Sequence, residues 1–370
     1  MRSLLVSPYI PSEKTGGSGI KISHTLDILF SKSSSCDFFC FYSNKEEMEY
    51  LLDLKRKYNR LNLFPIYKDF RLSNLSPLNL FSKGIYYKRF YSKPLESLLK
   101  KKEKYDIAYL DSFFSYHYID LVESNHIIID FHNIHSEFLK HYIKECKNPL
   151  KKFIYKREME NIFSLEKEII SNPDIKKVIT GPLPDSLNVI AKNIFNHIPH
   201  PMIRPIDSPT IHEQKSILFT GNFNWPLNRS ALRIFCRLSD EFRNITFTIA
   251  GRNIPEIKSK NKNLKIIRNP ETTYDLFKEN SIFLSPVKNP SGINLKLIQA
   301  AYAGNLIIGK DEAIRKISGL SDSALIFKDY TDLIDIIKNI QLPIKVDNSK
   351  AINNIEQNNK EFRSLLKRIQ

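Results

Sequence analysis

Cysteine and glycine are scarce in this chain, four and eleven among 370 residues. So little cysteine excludes a disulfide scaffold, and so little glycine excludes a collagen-like one. The four cysteines show no paired metal-ligand spacing. Cys36 and Cys40 fall on one face of a strand and read as buried, inert thiols. No apolar run approaches the roughly 20 residues of a membrane span. The opening Met1-Arg2-Ser3-Leu4-Leu5-Val6 turns polar at Ser7-Pro8, too soon for a signal peptide, so reduced cytosol is the expected compartment. There is no fixed-period repeat, which excludes a solenoid. There is no zinc-finger, RRM or KH signature either, which argues against nucleic acid as a partner.

What is present is a globular balance, 42% hydrophobic and 26% charged. At this length it suits two α/β domains. The net charge of +16 is uneven: residues 51–104 hold fourteen Lys/Arg against four Asp/Glu, interleaved with Phe and Tyr. Such a stretch suits an anionic membrane face or a diphosphate-linked acceptor, and an ordinary solvated surface accounts for it equally well.

Strand-like and helix-like segments alternate, which predicts parallel sheets. Strands are expected at Ser3–Ser7, Asp37–Tyr42, Leu61–Ile66, Asp106–Leu110, His126–Phe131 and Lys177–Thr180, with a long helix from about Glu137 to Ile170. Prolines 199, 201, 205 and 209 then punctuate a linker. A second series follows, with strands at Ser216–Thr220, Thr246–Ala250, Leu264–Ile267, Ile282–Ser285, Asn305–Ile308 and Ala324–Phe327. The reading is two Rossmann-like, doubly wound parallel-sheet domains facing a central cleft. Residues 1–199 form the first domain and 200–350 the second; 351–370 are a terminal helix that could pack back on the first.

In such folds ligands bind beyond the carboxyl ends of strands. Four places qualify. Gly16-Gly17-Ser18-Gly19 follows the first strand, and could approach an anion or be a plain turn; the dinucleotide fingerprint G-x-G-x-x-G is absent. Asp111 closes a buried strand and could orient a hydroxyl, take a proton, or cap the segment after it. In Asp130-Phe131-His132-Asn133-Ile134-His135-Ser136, we read His132 as functional, His135 as structural and Ser136 as a helix cap. The fourth runs from Pro286 to Gly304: a loop containing Ser291, Gly292, Ile293 and Asn294 opens a helix that carries Lys296 and Gln299. A helix N-terminus with a lysine in its first turn suits a diphosphate leaving group.

The run Pro290-Ser291-Gly292-Ile293-Asn294-Leu295-Lys296-Leu297-Ile298-Gln299-Ala300, then Gly304 and a strand, resembles the G-S-G-I-R-x-K-x-x-E-A signature of the retaining GT-B glycosyltransferases of family 4 (group 1). Phe219-Thr220-Gly221-Asn222-Phe223-Asn224-Trp225-Pro226-Leu227-Asn228 is similar to the V-G-x-x-x-W-x-P-N stretch of one branch. Pro8 with Gly16-Gly17 resembles the family's opening, and His132-Asn133 its H-N after the fifth strand.

The resemblance implies a glycosyltransferase that moves a sugar from a nucleotide-sugar donor to a glycan or lipid-diphosphate-linked acceptor, with retention, and without a metal or other cofactor. The setting would be lipopolysaccharide or capsule biosynthesis, in the cytoplasm or peripherally on the inner membrane face through residues 51–104. With it, Asp111, His132 and Lys296 are the expected catalytic residues, Asp111 from its place at the end of a buried strand. Gly17, Gly221, Asn222, Ser291, Gly292, Ile293, Asn294, Lys296 and Gln299 would hold the donor. Gln299 replaces the family's ribose-binding glutamate, Asn222 a frequent arginine, and Asp111 falls where some relatives carry a histidine. An amide still bonds hydroxyls, as donor and acceptor. The same departures fit a catalytically silent GT-B subunit that binds a glycan or partner transferase. An epimerase of the same architecture is a third reading, which the W-x-P-N match disfavours.

Overall fold

The computed structural model describes residues 1–12, 16–68, 87–146, 148–199, 201, 204–206, 209–257, 261–287 and 292–368. The chain divides into two compact units, Met1–Pro199 with Asn359–Gln370, and His200–Asn358.

The first unit is built from β1 (Arg2–Ser7), α1 (Gly17–Lys32), β2 (Ser35–Tyr42), α2 (Lys45–Lys57), β3 (Leu61–Tyr67), α3 (Lys93–Leu99), β4 (Tyr105–Asp111), β5 (Ser124–Phe131), α4 (His135–Glu145), α5 (Pro149–Ser171), β6 (Lys176–Ile179), α6 (Asp185–Asn188) and β7 (Ile194–Asn196). Its sheet runs β3-β2-β1-β4-β5-β6-β7, and every pairing is parallel. The inner strands β1, β2 and β4 bury nearly every residue because both faces are covered. On β1, Leu4 and Val6 join one core cluster while Leu5 joins the other, as the two-residue period requires.

The single helix expected over 137–170 is two helices. Pro149 disfavours helical backbone at Asn148, whose side chain instead caps α5 by accepting from Lys151 N. Helix α1 begins at Gly17, with Gly16 at φ 87 as its cap.

The second unit holds β8 (Thr210–His212), β9 (Ser216–Asn222), α7 (Pro226–Glu241), β10 (Thr246–Arg252), β11 (Leu264–Arg268), α8 (Tyr274–Lys278), β12 (Ile282–Ser285), α9 (Leu295–Tyr302), β13 (Leu306–Gly309), α10 (Asp311–Ile314), β14 (Leu325–Ile326), α11 (Tyr330–Asn339) and β15 (Ile344–Val346). Its parallel sheet runs β11-β10-β9-β12-β13-β14, and β15 pairs antiparallel with β8 outside it. That short pair and α11 had no counterpart in the sequence reading. The final helix, α12 (Ser349–Arg368), belongs to the second unit as far as Asn358 and to the first from Asn359. Within the first unit its Phe362 and Leu366 join the core cluster that holds Phe38 and Val178.

Strand order reverses between β1 and β4 in one sheet and between β9 and β12 in the other. At such a switch point the following loops leave on opposite faces, opening a crevice at the carboxyl ends. No described helix is long and apolar enough to cross a membrane.

Candidate functional site

In the first unit the crevice is furnished by the residues that end β1, β4 and β5. Asp111 is the last residue of β4 and fully buried. Its Oδ2 accepts from Ser7 Oγ at 2.7 Å, and its Oδ1 lies 2.6 Å from His132 Nε2. A carboxylate oxygen facing Nε2 places a ring proton there, and in the neutral ring the lone pair is then on Nδ1. Nδ1 is buried without a partner among the described residues. Asp111 is therefore not a cap for the segment after it, the 3₁₀ turn Phe113–Leu121. Its neighbour Ser112 holds φ 68 and ψ 145, a conformation that costs a non-glycine residue about 1–3 kcal/mol.

Tyr9 stacks on His132 with ring centroids 5.4 Å apart, and meets Phe90 edge-on at 6.0 Å. Lys68 Nζ stands 3.6 Å from the Phe90 centroid, and burial lowers its pKa to about 7. Aromatic faces beside a buried hydroxyl-binding dyad suit a sugar ring, which offers C–H groups on one side and hydroxyls at its rim.

Beneath the dyad lies a buried charge pair. Lys21 of α1 donates to Asp130 and to Thr180 Oγ1, and Tyr109 OH donates to Asp130 Oδ2 at 2.6 Å. Asp111, Asp130 and His132 each place one ligand atom within 4.8 Å of the others. The Lys21 ammonium already neutralises Asp130, so a cation bound there would meet a like charge.

His135 is structural. Its ring is buried between Phe113 and Phe114, and burial holds its pKa near 3. Ser136 does not cap α4; it lies in the first turn and shares Glu166 with His135. Glu166 on α5 accepts from His135 N at 2.5 Å and from Ser136 N and Oγ, closing the N-terminus of α4, and burial raises it to about 7.

In the second unit, β9 ends in Gly221 and Asn222, in register with Gly251 and Arg252 of β10. A β-carbon on Gly251 would stand 1.9 Å from Gly221 O, so bare backbone is required there. Asn228 of α7 donates to Asn222 O at 2.8 Å. Asn294 caps α9, accepting from Lys296 N at 3.2 Å and donating to Ser285 Oγ at 3.1 Å. That capping fixes the first turn of α9, and with it Lys296. Its Nζ lies 3.4 Å from where a β-carbon on Gly221 would stand. Part of the Lys296 side chain meets solvent, but the ammonium is turned inward, and burial lowers its pKa to about 8.

The structure thus brings Lys296 to Gly221, next to Asn222 in the chain, with Gly292, Ile293 and Asn294 leading into its helix and Gln299 one turn on. Gly17 is exposed at the start of α1. Ser291, and residues 69–86 of the basic stretch, lie outside the described residues. Sequence reasoning missed Ser7, Tyr9 and Lys21. None carries a local signal: Lys21 meets Asp130 across 109 positions.

Two tandem Rossmann-like domains, each with its crevice at a switch point, define the GT-B class of fold. The chain superposes over its whole length on solved glycosyltransferases. The pneumococcal O-GlcNAc transferase GtfA, solved with UDP and GlcNAc, matches with TM-score 0.63 at 9% identity, covering 100% of this chain and 99% of that one. TarM matches with TM-score 0.60 at 12% identity, over 98% of this chain and 94% of that one. Anabaena Alr3699/HepE, solved with UDP, matches with TM-score 0.57 at 9% identity, over 99% and 100%. No family model matches the sequence. No curated protein matches it either.

Proposed function

We propose that this chain is a glycosyltransferase that moves a sugar from a nucleotide-sugar donor to a glycan or lipid-linked acceptor. The observation that carries the reading is the inward-turned Lys296 ammonium against Gly221, at the switch point of the second unit. A buried cation beside bare backbone and a capped helix N-terminus forms a diphosphate cradle. In this reading the amides of Gly292 and Ile293, together with Lys296, take the charge that develops on the leaving nucleotide. Gln299 bonds the ribose. His132, held by Asp111, accepts a hydrogen bond from a sugar hydroxyl through Nδ1. The UDP present in the GtfA and HepE structures supports a nucleotide-sugar donor.

The resemblance of the Pro290–Gly304 segment supports retention at the anomeric carbon. Surface polysaccharide biosynthesis, as lipopolysaccharide or capsule, at the cytoplasmic face, is the setting it implies. We propose that no metal takes part, since Lys21 supplies the cation that Asp130 needs.

The test is transfer and hydrolysis across a panel of UDP-, GDP- and CMP-sugars, with the product's anomeric configuration read by NMR. The wild-type chain turns over at least one donor, and Lys296→Ala loses about 100- to 1000-fold in kcat, the usual cost of an electrostatic donor. Full activity in Lys296→Ala overturns the assignment. A second reading, a silent subunit that binds a glycan or partner transferase, is favoured by Gln299. Absence of any nucleotide binding in calorimetry selects it.

A further inference from the structure

Residues 148–153, at the start of α5, are exposed on every side, whereas the rest of the helix buries Glu158, Ile162, Glu166, Ile169 and Ile170 at helical spacing. Two residues of that exposed end are large and apolar: Leu150 is 68% exposed and Phe153 65%. Packing explains the buried face of α5 and leaves these two bare. Lys151, Lys152 and Lys156 stand exposed among them, and no acidic residue occurs between Cys146 and Arg157. Helices α4 and α5 lie side by side as a hairpin, with Tyr142 edge-on to Tyr155 at 4.9 Å. Lys144, exposed in the last turn of α4, therefore joins the same tip.

We propose that this tip seats on an anionic lipid bilayer. Phe153 and Leu150 enter the boundary between headgroups and acyl chains, while the lysines and the N-terminal amides of α5 face lipid phosphates. Charge selects the occupant. A patch made for another protein is depleted of lysine and favours arginine at its core, whereas the exposed cationic side chains described at the tip, Lys144, Lys151, Lys152 and Lys156, are all lysine. The basic stretch 51–104 is not needed for this contact.

The base of the hairpin is at the candidate site: His135, three residues beyond His132, begins α4, and Glu166 of α5 closes that helix's N-terminus. Eleven helical residues separate that base from the tip, roughly 16 Å along the axis. Lipid headgroups at the tip thus come within reach of the dyad for a lipid-linked acceptor. The bilayer contact itself goes beyond the transfer reading and does not depend on it.

The test is co-flotation of the full chain with vesicles of phosphatidylcholine alone and with about 30% phosphatidylglycerol, at low and physiological salt. Binding is expected on the anionic vesicles, weakening with salt, and not on the neutral ones. The Lys151→Gln/Lys152→Gln/Lys156→Gln variant is expected to lose about a hundredfold in partition, at about fivefold per lysine. Leu150→Ser/Phe153→Ser is expected to abolish binding with all charges intact. Both variants should keep the wild-type melting temperature and nucleotide binding, because none of these residues touches the site. The proposal is overturned if the wild-type chain ignores anionic vesicles, if both variants bind like wild type, or if Leu150→Ser/Phe153→Ser instead dissolves a self-associated form. The last outcome would make the tip a contact between copies of the chain.

Discussion

Replacing Lys296 by methionine separates what the residue costs the fold from what it gives the ligand. Burial holds this lysine at about 8, against 10.5 for the free side chain. Keeping it charged at neutral pH therefore costs the folded protein roughly 3 kcal/mol. Below pH 8 both folded and unfolded chains carry the ammonium, and the penalty is fully present. Between about 8 and 10.5 the folded chain gives up the proton first, so its stability rises with pH. Lys296→Met should thus be more stable than wild type at pH 7, by up to about 3 kcal/mol, with the gain fading toward pH 10. A bound diphosphate restores the charge the fold penalises. UDP affinity should accordingly be flat up to about pH 8, then weaken about tenfold per pH unit above it as the amine loses its charge. The assay is calorimetric titration with UDP from pH 6.5 to about 9.5 in buffers of different ionisation enthalpy, where wild type takes up protons near pH 8 and above. Paired chemical denaturation of both proteins reads the stability difference. An affinity that does not move across that range, or a methionine variant that binds as tightly as wild type, would refute the reasoning.

Two further substitutions test the buried framework. Lys21→Met strands the Asp130 carboxylate beside Asp111 and should cost about 3–5 kcal/mol in denaturant unfolding. Adding Asp130→Asn should recover most of it, and no recovery would show that the pair is not what holds this corner. Gly251→Ala drives a β-carbon to 1.9 Å from Gly221 O at φ +143, and should abolish UDP binding along with a few kcal/mol of stability. Gly16→Ala, with nothing within 4 Å of its β-carbon and φ +87, should cost only about 1 kcal/mol and leave UDP binding intact. Equal behaviour of the two glycine variants in the binding assay would count against the Gly251–Gly221 contact as part of the cradle.

The strands were legible because a parallel sheet covered on both faces writes itself as short apolar runs, and Leu4-Leu5-Val6 or Ile282–Ser285 need no partner to be recognised. The α4–α5 break was legible in principle from Asn148-Pro149, but helical periodicity on both sides outweighed it. The β8–β15 pair was not, since three-residue strands carry too little pattern.

Chemistry divides in the same way. The sequence alone determined that a lysine would sit in the first turn of a helix opened by a glycine loop, because capping and helix geometry are local. It likewise determined that Asp111 and His132 would each follow a buried strand. Only the tertiary structure decided that Asp111 Oδ1 meets His132 Nε2, that Lys21 lies under them, and that Lys296 turns inward against Gly221. Those contacts join residues 21 to 109 positions apart, or cross from one strand's end to another helix's first turn. The order of strands at each switch point sets them, and strand order is a property of how whole segments bury their faces together, written in no single stretch of chain.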